Sequence, residues 1–220
     1  MVSKGKKGKP KAHPTPIRLE VLVEEESAGV ALRHLLAKIL EGRNVRIGIR
    51  QFQGKPDLLK KLPDRLQGYA ASRRRGEDFR VAVLDDRDND DCRDLKRRLD
   101  SIALDAGLTP RTKRGPEGNF EVLNRIAVRE LESWYFGDWD AVVHGFPKVT
   151  SSVPRAYRGD PDSVTGKCSD AFEKILRSHG IKIASKPEWG RKIGPHLNPD
   201  VNRSTSFNSF VSGIRQLLMR

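Results

Sequence analysis

Five aspartates, Asp85, Asp86, Asp88, Asp90 and Asp91, stand within seven positions directly after the apolar run Phe79 to Leu84. Carboxylates this close raise one another's pKa and resist common ionisation, and a divalent cation is the usual remedy. Oxygen donors of this kind suit Mg2+ or Mn2+, of which Mg2+ keeps several waters while contacting one or two side chains and a substrate phosphate. An ion held there could polarise a phosphodiester and lower the pKa of a bound water. Two further acidic groups follow apolar runs: Glu24 behind Val21 to Val23, and Glu130 with Glu132 behind Val122 to Val128. Open parallel sheets bind ligands at the carboxyl ends of their strands, so three such ends would feed one crevice.

Each group also has a plainer reading. Asp86 and Asp88 point the same way, toward one ion, if the strand continues through them, whereas Asp90 and Asp91 suit the first turn of a following helix. Glu24-Glu25-Glu26-Ser27 leads into a helix, where one glutamate can serve as a cap or dipole partner. If a helix has begun by Glu130, then Glu130 and Glu132 lie on different faces and at most one meets a metal; the other is second to it or a cap partner. Trp134, Tyr135 and Phe136 read as core. Lys186, Arg191, Lys192 and His196, with Trp189, form a basic stretch that reads as a solvated loop or as a source of positive charge for a transferring phosphate. Arg73-Arg74-Arg75 reads as a polar loop or as a grip on a nucleic-acid backbone.

Several chemistries are excluded. Asp86, Asp88 and Asp90 fit the first, third and fifth positions of a calcium loop, but Asp91 stands where its glycine belongs and Arg97 where its glutamate belongs. No Gly-x-Ser-x-Gly elbow, Walker lysine loop or dinucleotide glycine fingerprint occurs, and the five histidines show no pairing signature. Cys92 and Cys168 lack metal spacing and read as reduced thiols.

The elements that position these residues follow from periodicity. Ile17, Leu19, Val21 and Val23 alternate as a strand, and Val30 to Leu40 recur at helical spacing. Val45, Ile47 and Ile49 give a second strand. Leu58 to Tyr69 carry a helix ending near Ala71, with Pro63 expected to kink or split it. Phe79 to Leu84 is the third strand, Leu95 to Leu104 a helix, and Val122 to Val128 the fourth strand. Such alternation predicts an α/β fold with a mostly parallel sheet flanked by helices. Beyond Pro147, Ser, Pro, Gly and basic residues surround two short helices, near Asp170 to Ser178 and Phe207 to Met219. The expected organisation is a basic disordered arm over 1–16, an α/β domain over 17–149 and a small helical appendage over 150–220.

The chain of 220 residues carries a net charge of +13, and five of those charges are lysines of the arm, leaving +8 on the rest. A surface so dense in cations suits a polyanion, nucleic acid foremost, through counterion release. No apolar run approaches the roughly 20 residues of a membrane span, and the first 16 residues have no apolar core of a secretory signal. The expected setting is therefore the cytoplasm, with no membrane partner; self-association is left open.

Taken in order, Val21-Leu22-Val23-Glu24, Val83-Leu84-Asp85-Asp86-Arg87-Asp88 and Ile126-Ala127-Val128-Arg129-Glu130-Leu131-Glu132-Ser133-Trp134 resemble the Toprim superfamily of topoisomerases, primases and OLD-type nucleases. Lys186-Pro187-Glu188-Trp189-Gly190 with Ile193, and Ser206 to Phe210, resemble the C-terminal pattern of the Toprim-like effector family that includes the nuclease subunit of the PARIS anti-phage system. The resemblance spans about Ile17 to Leu218. It implies a Toprim-like fold and a Mg2+-dependent nuclease acting on tRNA or other RNA, with DNA as the alternative, and working with an ABC-type ATPase. By position, Glu24 would be a general acid/base or metal ligand, Asp86 and Asp88 the magnesium pair, and Glu130 or Glu132 the completion of the site. Arg73, Arg74, Arg75, Lys186, Arg191 and Lys192 are the expected nucleic-acid contacts. Glu25, where many relatives have Gly, and Ala28, where OLD-type nucleases tend to have an acid, depart from the pattern and bear on a second metal. The rival expectation is a non-catalytic subunit that binds nucleic acid or an ATPase.

Overall fold

The computed structural model describes residues 15–182 and 185–219, so the basic arm read over 1–16 lies almost wholly outside the described residues. The chain runs β1 (Ile17–Val23), α1 (Glu26–Ile39), β2 (Val45–Gln51), α2 (Lys55–Arg74), β3 (Phe79–Asp86), α3 (Cys92–Asp105) and β4 (Val122–Ala127). Five helices follow: α4 (Ser133–Gly137), α5 (Trp139–Gly145), α6 (Cys168–Ser178), α7 (Lys186–Ile193) and α8 (Thr205–Leu217). The four strands form one parallel sheet in the order β2-β1-β3-β4, the expected α/β architecture and consistent with a Toprim-like fold. No helix of the described residues is long and apolar enough to cross a membrane.

Period-two alternation sorts the strands' side chains into two cores. Leu19, Val21, Val23, Ala82 and Leu84 bury against α1 and the C-terminal helices, where Trp134, Phe136, Phe172, Phe207 and Phe210 pack together. Leu22, Val81 and Val83 bury on the other face against Leu58, Leu62 and Leu66 of α2 and Leu95 and Leu99 of α3. The acids that end β3 inherit this alternation, which sends Asp85 toward α2 and α3 and Asp86 toward α1.

Two local expectations are corrected. Helix α2 runs unbroken through Pro63 and on to Arg74, past the expected end at Ala71. An interior proline costs a helix about 3 kcal/mol, but four buried positions, Leu58, Leu62, Leu66 and Ala70, hold α2 to the sheet, each leucine contributing roughly 1.5–3 kcal/mol. The stretch from Lys186 read as a loop is helix α7, with Ser185 at its N-cap position and Pro187 in its first turn, where a proline's missing N–H costs nothing. Trp189 and Ile193, four apart, bury one face of α7 against α1. The approach is close enough that a Cβ on Gly190 would lie 3.1 Å from the Ser27 carbonyl oxygen and 3.2 Å from the Ala31 nitrogen. Glycine at this position lets α7 sit down and present Lys186 at the strand ends.

Candidate active site

The β1–β3 register pairs Val23 with Leu84, which sets Glu24 beside Asp85. Glu24 Oε2 accepts the Asp86 backbone N–H at 3.3 Å, tying the end of one strand to the next. Asp85 is 0% exposed and neither of its carboxyl oxygens has a hydrogen-bond partner among the described residues. Its neighbour is another acid, so only a shared proton or a cation can join the two. Burial, then the Glu24 carboxyl, push Asp85 up to about 8, with Lys55 opposing. Lys55, at the start of α2, reaches Asp88 Oδ2 at 3.0 Å, Asp90 Oδ2 at 2.7 Å and the Arg87 carbonyl at 3.3 Å.

A second set lies on the other face. Lys186 Nζ stands 3.5 Å from Glu132, 3.7 Å from Glu130 and 3.7 Å from Glu25. Burial alone would lower the Lys186 pKa, but Glu132, Glu25, Glu130 and Asp86 together hold it above the ordinary lysine value. Glu132 is 1% exposed with Oε2 unpartnered, and burial pushes it up to about 7 despite Lys186. Burial, then Glu132 and Glu24, raise Asp86 well above the usual aspartate range, with Lys186 opposing. The Tyr135 hydroxyl is also buried without a partner; burial and then Glu132, Glu25 and Asp86 hold its proton on. Glu130 accepts the Ser169 N–H at 2.9 Å and the Ser169 hydroxyl at 2.9 Å, so it caps α6 as well as facing Lys186.

Glu24, Asp86, Glu130, Glu132 and Lys186 are thus gathered at the C-terminal ends of β1, β3 and β4. Asp88 is not paired with Asp86 as expected, because β3 ends at Asp86 and Asp88 turns into the left-handed region with φ 49°, its carboxylate taken by Lys55. Asp91 caps α3, accepting the N–H groups of Arg93 at 2.8 Å and Asp94 at 3.0 Å, in line with its plainer reading. The arginine run lies at the wrong end of the sheet. Arg73 Nη1 donates to the Phe79 carbonyl at 2.9 Å and its Nη2 meets Glu121 at 3.2 Å. Phe79 opens the eight-residue β3 that Asp86 closes, which puts the run about 25 Å from the acids. Arg74 and Arg75 end and follow α2 at that same place. On α7, Arg191 pairs with Glu26 at 3.3 Å and Lys192 lies 5.9 Å above the Phe146 ring. His196 stacks on His144 with ring centres 5.3 Å apart, a pairing the sequence did not show.

Residues 23–215 match the family model described as a domain of unknown function, DUF4276. The chain belongs to the DUF4276 family. The matched span opens one residue before Glu24 and takes in every member of both acidic sets. No curated protein and no solved structure matches the chain.

Four members of this DUF4276 site had no specific role in the sequence reading: Asp85 stood only among the five clustered aspartates, Glu25 only as a possible cap and as a departure from the resembled pattern, Tyr135 only as core, and Lys55 not at all. Asp85 carried a usable signal, since it follows Leu84 as Glu24 follows Val23, but only the strand register makes them neighbours. Among the described residues no group of three or more His, Cys, Asp or Glu is arranged as a ready-made cation cage. The donor chemistry of the Glu24–Asp85 pair nevertheless fits a hard cation: two orphaned, buried carboxyl oxygens face a second carboxylate, and Mg2+ takes one or two carboxylates and completes its shell with water and phosphate.

Proposed function

We propose that this DUF4276 chain is a Mg2+-dependent nuclease that hydrolyses phosphodiester bonds, with RNA, and tRNA foremost, as its substrate. The observation that carries this reading is the contact of Glu24 with the Asp86 N–H, which brings the acids of β1 and β3 to one point beside the acids that follow β4. Crevices at the carboxyl ends of parallel strands are where such sheets bind ligands. Glu24 and Asp85 would hold the ion, with Asp86 set beside them by the Glu24 contact to its N–H, and the ion would supply Lewis acidity toward a phosphoryl oxygen and a lowered pKa for its water. Glu132, titrating near neutrality, holds or releases a proton at its unpartnered Oε2. Lys186, fixed by three carboxylates, offers a positive charge to an oxygen that gains negative charge. The choice of RNA, a role in anti-phage defence and an ABC-type ATPase partner rest on the resemblance to the PARIS nuclease subunit.

A second reading, a non-catalytic subunit that binds nucleic acid or an ATPase, draws on Lys186 and Lys55 already lying against five of the carboxylates. One experiment separates them. The purified chain is incubated with labelled tRNA and with plasmid, in Mg2+ or EDTA, beside Asp86→Ala and Glu24→Gln. The nuclease reading expects cleavage by the wild type in Mg2+ alone and its loss in both variants. Equal cleavage by the variants rejects the assigned site, and tRNA binding by all three proteins without cleavage establishes the second reading.

A further inference from the structure

Arg129 leaves β4 in the left-handed region, with φ 75°, a conformation that a side chain bearing a Cβ seldom adopts. Its Nε is buried without a hydrogen-bond partner, and its guanidinium enters no ion pair among the described residues. A backbone held in this way keeps a long cation in place when glycine would fit more easily, and strain of that kind gathers at binding sites. The arginine lines a cleft of about 570 Å3 together with Asp88, Asn89, Glu130, Gly166 and Lys167.

The cleft's own acids do not answer its cations. Asp88 is held by Lys55 at 3.0 Å. Glu130 accepts two bonds from Ser169 at 2.9 Å and faces Lys186 at 3.7 Å. Arg129 and the exposed Lys167 are left without an acidic partner among the described residues. Glu130 belongs both to this cleft and to the Lys186 set, so the cleft opens beside the carboxylate centre.

We infer that Arg129 and Lys167 form a phosphate-binding subsite that seats a backbone phosphate of a nucleic acid next to the reacting one. The inference rests on the phosphodiester reading of the neighbouring centre and adds the grip that orients the strand there. Arginine's planar fork suits two phosphate oxygens at once, and the lysine adds a point charge.

Binding is measured in EDTA, where hydrolysis plays no part. A short, end-labelled single-stranded RNA is titrated with the full chain, and anisotropy is followed between about 50 and 200 mM salt. Arg129→Gly is the main variant, because glycine adopts this φ freely and a thermal melt will show the fold intact. The expected result is affinity about tenfold weaker, the loss of one charge-assisted fork. The slope of log affinity against log salt should fall by about 0.7 for each phosphate that is no longer neutralised. Arg129→Lys should restore the slope but only part of the affinity, and Lys167→Ala should lower the slope on its own. Unchanged affinity and slope in Arg129→Gly overturn the subsite, as does a wild type that binds no RNA. A wild type that binds through Arg129 yet never cleaves supports the subsite and removes the nuclease reading. A wild type that cleaves, with Arg129→Gly binding equally well, removes the subsite alone.

Discussion

Replacing Asp85 by Asn should make the metal-free protein more stable near neutral pH and should remove its response to Mg2+. The folded Asp85 carboxyl titrates at about 8 against an ordinary 3.8, chiefly through burial and then through Glu24. Between those values the folded chain binds a proton that the unfolded chain releases, so this group's contribution to stability is largest below the ordinary value and falls as pH rises toward 8. At about 1.4 kcal/mol per pH unit, the loss by neutral pH is on the order of 4 kcal/mol for a rigid site. Relaxation around Lys55 and entry of water reduce that to about 2 kcal/mol, since such sites behave as a medium of higher effective dielectric. Asparagine cannot ionise, and its amide N–H can donate to the Glu24 carboxylate. Urea unfolding in EDTA reads the effect directly: Asp85→Asn and wild type should agree within about 1 kcal/mol near pH 4, and the variant should be about 2 kcal/mol more stable near pH 7 to 8. Adding Mg2+ at about a hundredfold its dissociation constant should stabilise the wild type by about 2.7 kcal/mol and the variant by much less. A variant less stable than wild type in EDTA at neutral pH refutes the reasoning, because Asp85 would then be stabilising as an anion. Equal Mg2+ stabilisation of both proteins refutes the placing of the ion.

Two further outcomes test the positioning. Gly190→Ala puts a Cβ 3.1 Å from the Ser27 carbonyl oxygen and 3.2 Å from the Ala31 nitrogen, backbone atoms that cannot turn aside. It should lower stability by about 1–2 kcal/mol in a denaturant titration, and it should reduce Mg2+-dependent cleavage further still by carrying Lys186 away from Glu132. Arg74→Ala and Arg75→Ala lie at the far end of the sheet from the acids, so tRNA cleavage rates should stay within about twofold of wild type. A loss of an order of magnitude would return the arginine run to the substrate's path.

What could be read in the sequence was what depends on local periodicity. The alternation of Leu19, Val21 and Val23 and the run Phe79 to Leu84 declared β1 and β3, and the acids just beyond them pointed to Glu24 and Asp86. What could not be read depends on residues distant in sequence coming together. Nothing near Asp85 announces Glu24 as its neighbour, because that follows from pairing Val23 with Leu84 across a parallel sheet. Helix α7 has two glycines and a proline in or beside its eight residues and forms because Trp189 and Ile193 have α1 to bury against. The left-handed turn at Asp88 is likewise invisible locally, since aspartate fits many turns. The place of Arg73 to Arg75, by contrast, follows from topology alone: a helix that crosses between parallel strands must run back along them, so its C-terminus arrives where the next strand starts.

That same geometry explains why the site has two lysines. Parity along the strands sends Asp85, with Glu24, to the α2 side and Asp86, with Glu132, to the α1 side, so one acidic centre is split by the sheet that carries it. Each half meets a lysine from a helix N-terminus on its own face, Lys55 of α2 and Lys186 of α7. Glu24 bridges the two halves: its carboxyl lies against Asp85 and accepts the Asp86 N–H. Shortening Glu24 to Asp would withdraw that bridge by about the length of one methylene while keeping its charge. On the nuclease reading Glu24→Asp should therefore lose Mg2+-dependent cleavage of tRNA by at least about an order of magnitude, and cleavage at the wild-type rate would show that charge at this position suffices without reach.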